Sequence, residues 1–113
     1  MIRNKVVLVP FPFDDLSASK VRPAVSLTES IGPHGHVILA FITSKVPDDL
    51  LYSDIVLKSD SPEFTETGLK VTSTIRLHRL LTVSTNSLQR ELGKLTVSTE
   101  QIIAERLRQL FSC

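Results

Sequence analysis

Tryptophan is absent from this chain, tyrosine occurs once and phenylalanine five times, so the core has to be built from aliphatic side chains. Cysteine occurs once, as Cys113, which excludes a disulfide framework within one chain and a thiolate metal site. Such usage fits a reducing compartment. Neither sign of charge dominates: 13 Lys and Arg stand against 12 Asp and Glu, a formal net charge of +1. The chain is therefore no polycation, and any binding of nucleic acid has to come from a local basic patch. Long apolar runs are missing too. The run that follows Lys5 ends at Pro10, too soon for a signal peptide or a membrane span, which predicts a soluble cytoplasmic protein with no membrane partner. Repeats, low-complexity tracts, linkers and Gly-rich loops of the Walker or Rossmann type are also lacking. What remains is 113 residues, 42% of them hydrophobic, which suits one domain spanning 1–113.

The pattern of that domain is mainly β. Val6-Val7-Leu8-Val9, bounded by Pro10, reads as a buried strand. Phe11 to Lys20 carries turn chemistry and reads as a long loop. Pro23 allows an extended entry into a second strand, Ala24 to Thr28. Gly32-Pro33-His34-Gly35 is a turn, and His36 to Thr43 a third strand. Lys45 to Leu51 is a polar loop, Ser53 to Lys58 a fourth strand, and Ser59 to Gly68 a long connection. Val71 to Ser84 is strand-like with a break near its middle. Leu88 to Leu95 is ambiguous between a strand and a helical turn, with Gly93 against a stable helix. Ser98 or Thr99 can cap a final helix in which Ile102, Ile103, Leu107, Leu110 and Phe111 form an apolar stripe. Short strands and one terminal helix predict a small β-barrel capped by a helix.

Three segments could carry chemistry. In Asp14-Asp-Leu-Ser-Ala-Ser-Lys-Val-Arg-Pro23, the hydroxyls of Ser17 and Ser19 accompany Lys20 and Arg22. The Arg22 fork suits phosphate oxygens and could stabilise a pentacovalent phosphorus. The plainer reading is a solvated loop with a weak ion pair to Asp14 or Asp15. Thr43-Ser44-Lys45 ends the third strand, where hydroxyls hold a phosphate or simply cap a turn. In Ser73-Thr-Ile-Arg-Leu-His-Arg79, strand alternation places Thr74, Arg76 and His78 on one face and Ile75 and Leu77 on the core side. Arg76 beside His78 would join a phosphate ligand to a group that exchanges protons near neutral pH. The competing reading is the polar outer face of a half-buried strand. His34 and His36 lack a third ligand, so no metal site is expected. Adjacent carboxylates usually point apart, so Asp14-Asp15 and Asp48-Asp49 are not read as an acid/base dyad.

Together these segments resemble the MazF/PemK family of toxin–antitoxin ribonucleases. The likeness runs in order through Val6-Val-Leu-Val-Pro-Phe-Pro-Phe-Asp-Asp-Leu-Ser-Ala-Ser-Lys-Val-Arg-Pro-Ala-Val25, Phe41-Ile-Thr-Ser44, Thr67-Gly-Leu-Lys-Val-Thr-Ser-Thr-Ile-Arg76, Leu92-Gly-Lys-Leu95 and the terminal helix. The resemblance implies an SH3-like barrel, a symmetric homodimer, a cognate antitoxin and cofactor-free, metal-independent cleavage of single-stranded RNA. In that chemistry the ribose 2′-hydroxyl attacks the adjacent phosphorus, leaving a 2′,3′-cyclic phosphate. Arg22 matches the family's catalytic Arg before Pro, Thr43 the hydroxyl residue after the third strand, and Arg76 a basic residue of the site. His78 stands where some members carry a catalytic Asp, and Asn4-Lys5 where the family often has Gly and an acid. Substrate binding would fall to Ser17, Ser19, Lys20, Ser44, Lys45 and Arg79, with Phe11 and Phe13 as candidate stacking groups. Two other classes share the barrel: a non-enzymatic toxin of the CcdB type, which binds a protein such as DNA gyrase, and a non-catalytic RNA-binding SH3-like module.

Overall fold

Successive residues of the first strand enter different cores, and this division runs through the central strands of the sheet. The computed structural model describes residues 1–11 and 20–112, without the side chains of residues 11 and 20. The expected loop, with Ser17, Ser19, Phe13 and the side chains of Phe11 and Lys20, therefore lies outside the described residues, as does Cys113. The strands are β1 Lys5–Phe11, β2 Lys20–Ser26, β3 His36–Thr43, β4 Asp54–Leu57, β5 Ser73–Ser84 and β6 Arg90–Lys94. Among the described residues one α-helix, α1, spans Val97–Leu110. All pairings are antiparallel, in the order β4-β5-β3-β2-β1-β6. The sheet curls into a half-barrel whose edges are β4 and β6. The expectation of a mainly β, SH3-like small barrel with a C-terminal helix holds in this form.

Val6, Val25, Ala40, Ile42, Ile75 and Leu77 face one core, which Ile103 of α1 helps to close. Val7, Val9, Ala24, Val37, Leu39 and Phe41 face a second, smaller core. Both faces of the central strands are thus apolar, which is why β1 and β3 read as near-continuous runs of aliphatic residues rather than as alternating ones.

Pro10 and Pro23 lie inside strands rather than marking their ends. Pro23 pairs with Leu8 of β1, but β2 meets β3 only from Ala24 onward. Pro10 pairs with Val21, beyond the part of β1 that meets β6. Each proline sits where its strand has a neighbour on one side, so the missing N–H interrupts no ladder. The second strand accordingly begins at Lys20 and not at Ala24. β3 spans the residues expected of it, and β4 is shorter than expected by a residue at each end. Leu88 to Leu95 resolves in favour of a strand, β6. The helix cap is Thr96, not Ser98 or Thr99: its hydroxyl accepts from the Thr99 N–H at 3.4 Å. The expected stripe on α1 is only partly covered, with Ile103 buried, Ile102 42% exposed and Phe111 68% exposed.

Asn4 adopts φ 65°, a left-handed conformation that asparagine tolerates better than most residues. There it bridges elements: its N–H donates to the Ser26 carbonyl, and its own carbonyl accepts from Leu95. The turn is therefore kept where Asn4 replaces the more usual glycine. Gly68 and Gly93 have a different role. A Cβ on Gly93 would lie 2.1 Å from the Glu66 carbonyl oxygen, and one on Gly68 2.1 Å from that of Leu92. Two backbones meet there with no room for a side chain. Gly93→Ala is expected to cost about 1–3 kcal/mol of stability by overpacking, measured as a lowered midpoint in urea unfolding; an unchanged midpoint would show that this contact is loose.

Candidate functional site

The site grows from the register of β3 with its neighbours. Phe41 pairs with Ala24 of β2 and with Arg76 of β5. Continuing the β2–β3 register brings Arg22 to the level of Thr43. Arg76 is in turn paired across to Asp54 of β4. One end of the sheet therefore gathers Arg22, Thr43 and Arg76 from three strands, over the Phe41 side of the sheet.

A cavity of about 250 Å³ opens at this end, lined by Arg22, Phe41, Ile42, Thr43, Ser44, Lys45, Arg76 and Arg79. Six of the residues expected at the site from the sequence are thus brought together: Arg22, Thr43, Ser44, Lys45, Arg76 and Arg79. Among the described residues of the lining, four side chains are cationic and none is acidic. Phe41 was missed as part of the site because its apolar surroundings read as core; 5% exposed, it forms the floor beneath Arg79, whose guanidinium carbon lies 5.2 Å from the ring centroid.

Thr43 also makes the plainer contact weighed for it. Its hydroxyl oxygen accepts from the Lys45 N–H at 3.3 Å, forming a hydroxyl-capped turn. The two readings are compatible: an oxygen that accepts within the turn still has its own proton to donate. Thr74 closes the same turn from β5, its hydroxyl donating to the Lys45 carbonyl at 2.9 Å.

His78 does not join Arg76. One step along β3, from Phe41 to Ala40, is matched on β5 by the step from Arg76 to Leu80. Leu77, His78 and Arg79 therefore form a bulge without partners on β3, and strand alternation fails there. Leu77 keeps its place in the larger core and Arg79 turns to the cavity. His78 is exposed and is not among the cavity residues; its Nδ1 lies 3.5 Å from the Ser53 hydroxyl oxygen. The expected pairing of Arg76 with His78 is corrected to Arg76 with Arg79.

Behind Arg76 stands a residue that the sequence reading did not single out. Asp54, its side chain 0% exposed, accepts from Arg76 Nε at 3.0 Å and from Nη2 at 3.4 Å. Its second oxygen also accepts from the Leu51 N–H at 2.9 Å. An acid opening the otherwise apolar strand Asp54-Ile-Val-Leu57 was the available signal. Elsewhere, His34 and His36 are ring neighbours at 6.1 Å, and among the described residues no group of His, Cys, Asp and Glu is placed to hold a metal ion. Among the described residues no helix is long and apolar enough to cross a membrane.

A curled antiparallel sheet closed by a C-terminal helix is an architecture shared with a class of small toxins. A solved structure described as Mycobacterium tuberculosis toxin MazF-mt6 superimposes with a TM-score of 0.71 at 24% identity, covering 95% of each chain. Another, described as the crystal structure of an Mtb toxin, gives 0.68 at 25% identity over 95% of this chain and all (100%) of that one. An endoribonuclease in complex with its cognate antitoxin, from a mycobacterial species, gives 0.65 at 15% identity over 96% and 92%. No curated protein matches the chain in sequence. The family described as PemK-like, MazF-like toxin of type II toxin-antitoxin system matches residues 2–111, and the chain belongs to it.

A pocket of this kind should take up a phosphate group. Titration with inorganic phosphate is expected to shift the backbone amide resonances of Thr43, Ser44 and Lys45. Arg22→Ala should weaken that binding by roughly 10- to 100-fold, the worth of one or two charge-assisted hydrogen bonds. Amides that do not move would show that the cationic lining serves another purpose.

Proposed function

We propose that the protein is the toxin of a type II toxin–antitoxin system and cuts single-stranded RNA at short sequences without a metal ion. The observation that carries this reading is the convergence of Arg22, Arg76, Arg79 and Lys45 with the Thr43 and Ser44 hydroxyls on one cavity. Family membership supports it, as does the fold shared with proteins described as endoribonucleases.

The nucleophile in this chemistry belongs to the substrate. The 2′-oxygen forms a bond to phosphorus, the bond to the 5′-oxygen breaks, and the proton lost from one oxygen is balanced by a proton gained at the other. The products are a 2′,3′-cyclic phosphate and a 5′-hydroxyl. Charge gathers on the non-bridging oxygens in the transition state, so fixed donors around phosphorus are the main requirement. Arg22 stabilises the phosphorane, Thr43 donates to the scissile phosphate, and Arg76 adds a second guanidinium. Lys45 and Ser44 hold the flanking backbone, together with Ser17, Ser19 and Lys20. Arg79, backed by Phe41, offers a planar cation on which an unpaired base can stack. His78, outside the cavity, is given no step.

The antitoxin would offer acidic and apolar side chains to this surface, as a segment that orders on binding. A homodimer, which the resemblance implies, has a surface available: Leu50, Leu51, Tyr52 and Ile102 are exposed along the β4 edge and α1.

Incubation of purified protein with a long single-stranded RNA in excess EDTA is expected to yield cuts at a recurring short sequence, with cyclic-phosphate ends. Arg22→Ala should lose on the order of 10²–10³ in rate, while His78→Ala should stay within about threefold because a group outside the cavity contributes no general acid–base step. Intact RNA from folded, antitoxin-free protein would refute the reading, and a large loss in His78→Ala would return that residue to the mechanism. For the assembly, light scattering is expected to give a dimer mass, and Ile102→Glu a monomer; an unaltered dimer would place the interface elsewhere.

A further inference from the structure

We propose that Asp54 is a positioning residue that holds Arg76 in its working orientation. A guanidinium has five N–H donors in a fixed plane. Asp54 takes the Nε donor at 3.0 Å and one Nη2 donor at 3.4 Å. The remaining edge, both donors of Nη1 and the second of Nη2, is left for the cavity that Arg76 lines. The fork is two-point, so it fixes rotation about the terminal bonds of the side chain as well as its distance.

Asp54 can do this because it is itself held. Its backbone is paired with Arg76 across β4 and β5, its carboxylate accepts from the Leu51 N–H, and its own N–H donates to the Leu51 carbonyl at 2.9 Å. From the far side, Arg106 of α1 donates through Nη1 to the Asp54 carbonyl at 2.7 Å, its guanidinium carbon 5.6 Å from the Tyr52 ring centroid. A carboxylate with no exposure is a costly thing to bury, and its charge is balanced by Arg76 with the help of the Leu51 N–H. The same dependence restrains Arg76, which is 23% exposed and would otherwise sample several rotamers. Asp54 also removes one unit of positive charge from beneath the cavity. Its loss should therefore leave RNA attraction intact or strengthened while the transition-state contact weakens.

The inference uses the ribonuclease reading for its kinetic test alone. Asp54→Asn is expected to lower kcat for RNA cleavage at least tenfold with KM unchanged or reduced. In an Arg76→Ala background the same substitution should add less than twofold. Equal losses in both backgrounds would mean that Asp54 acts on folding and not through Arg76, and would overturn the proposal. A second measurement needs neither activity nor a variant. In the unaltered protein, the Arg76 Nε–H resonance is expected to exchange with solvent at least tenfold more slowly than that of the exposed Arg90. Exchange at the same rate for both would overturn the positioning role even if the RNA is cut. Protection of Arg76 in a protein that cuts no RNA would keep the positioning role and discard the ribonuclease reading.

Discussion

A β-strand sends every second residue to the same face, and β5 departs from this once, at Leu77 to Arg79. The core and the site both depend on that departure. Regular alternation would carry Leu80 to the face of Arg76 and Arg79 to the face of Leu77. With three residues unmatched on β3, Leu77 and Leu80 serve the same core, and Leu81 joins the smaller one. The inversion costs a few ladder hydrogen bonds, and some of that loss is recovered: the Leu77 N–H donates instead to the Ser53 carbonyl at 3.0 Å. Arg79 is left free of the core and comes down over Phe41. The bulge therefore places a second guanidinium of β5 at the cavity without exposing the hydrophobic residues on either side.

Charge in this protein is arranged and not accumulated. A net charge of +1 over 113 residues gives no general attraction for a polyanion. Four cations around one cavity, with no acid among the described residues of its lining, give a strong local one. Like charges at close quarters repel, and two features relieve this: Asp54 beneath Arg76, and the electron-rich face of Phe41 beneath Arg79. Both lie on the protein side of these guanidinium groups, so Arg76 and Arg79 are tethered from behind. Such preorganisation matters for phosphoryl chemistry, because donors already in place need no rearrangement as charge develops.

Most of the architecture was legible in the sequence because hydrophobic patterning specifies strands well: β3 was read in full, and the break in β5 was located near the place where the bulge falls. Of the candidate site residues, Arg22, Thr43, Ser44, Lys45, Arg76 and Arg79 were legible because each has the chemistry of a phosphate ligand, and they meet at one cavity. The misreadings share a physical cause. Pro10 and Pro23 read as strand boundaries in the sequence, but whether a proline interrupts a strand depends on whether its N–H side has a neighbour, a tertiary fact. His78 was placed by alternation across a bulge that only pairing with β3 reveals. Asp54 carried no local signal of its partner, which lies 22 residues away along the chain.

The segment between Thr43 and Asp54 ties these parts together. Its first residues, Ser44 and Lys45, line the cavity; its last, Leu50 to Tyr52, form an exposed apolar surface and meet α1 through Arg106. The Leu51 N–H donates to the carboxylate behind Arg76, while Arg106 donates to the backbone carbonyl of the same residue, Asp54. Hence the helix that closes the larger core also bears on the orientation of a site residue on the other side of the strand. Arg106 reaches the Asp54 backbone directly, and Tyr52 reaches it through the Arg106 guanidinium. The cost of burying that carboxylate is what makes the coupling stiff: a group that cannot be left unpaired forces its neighbours to move together or not at all.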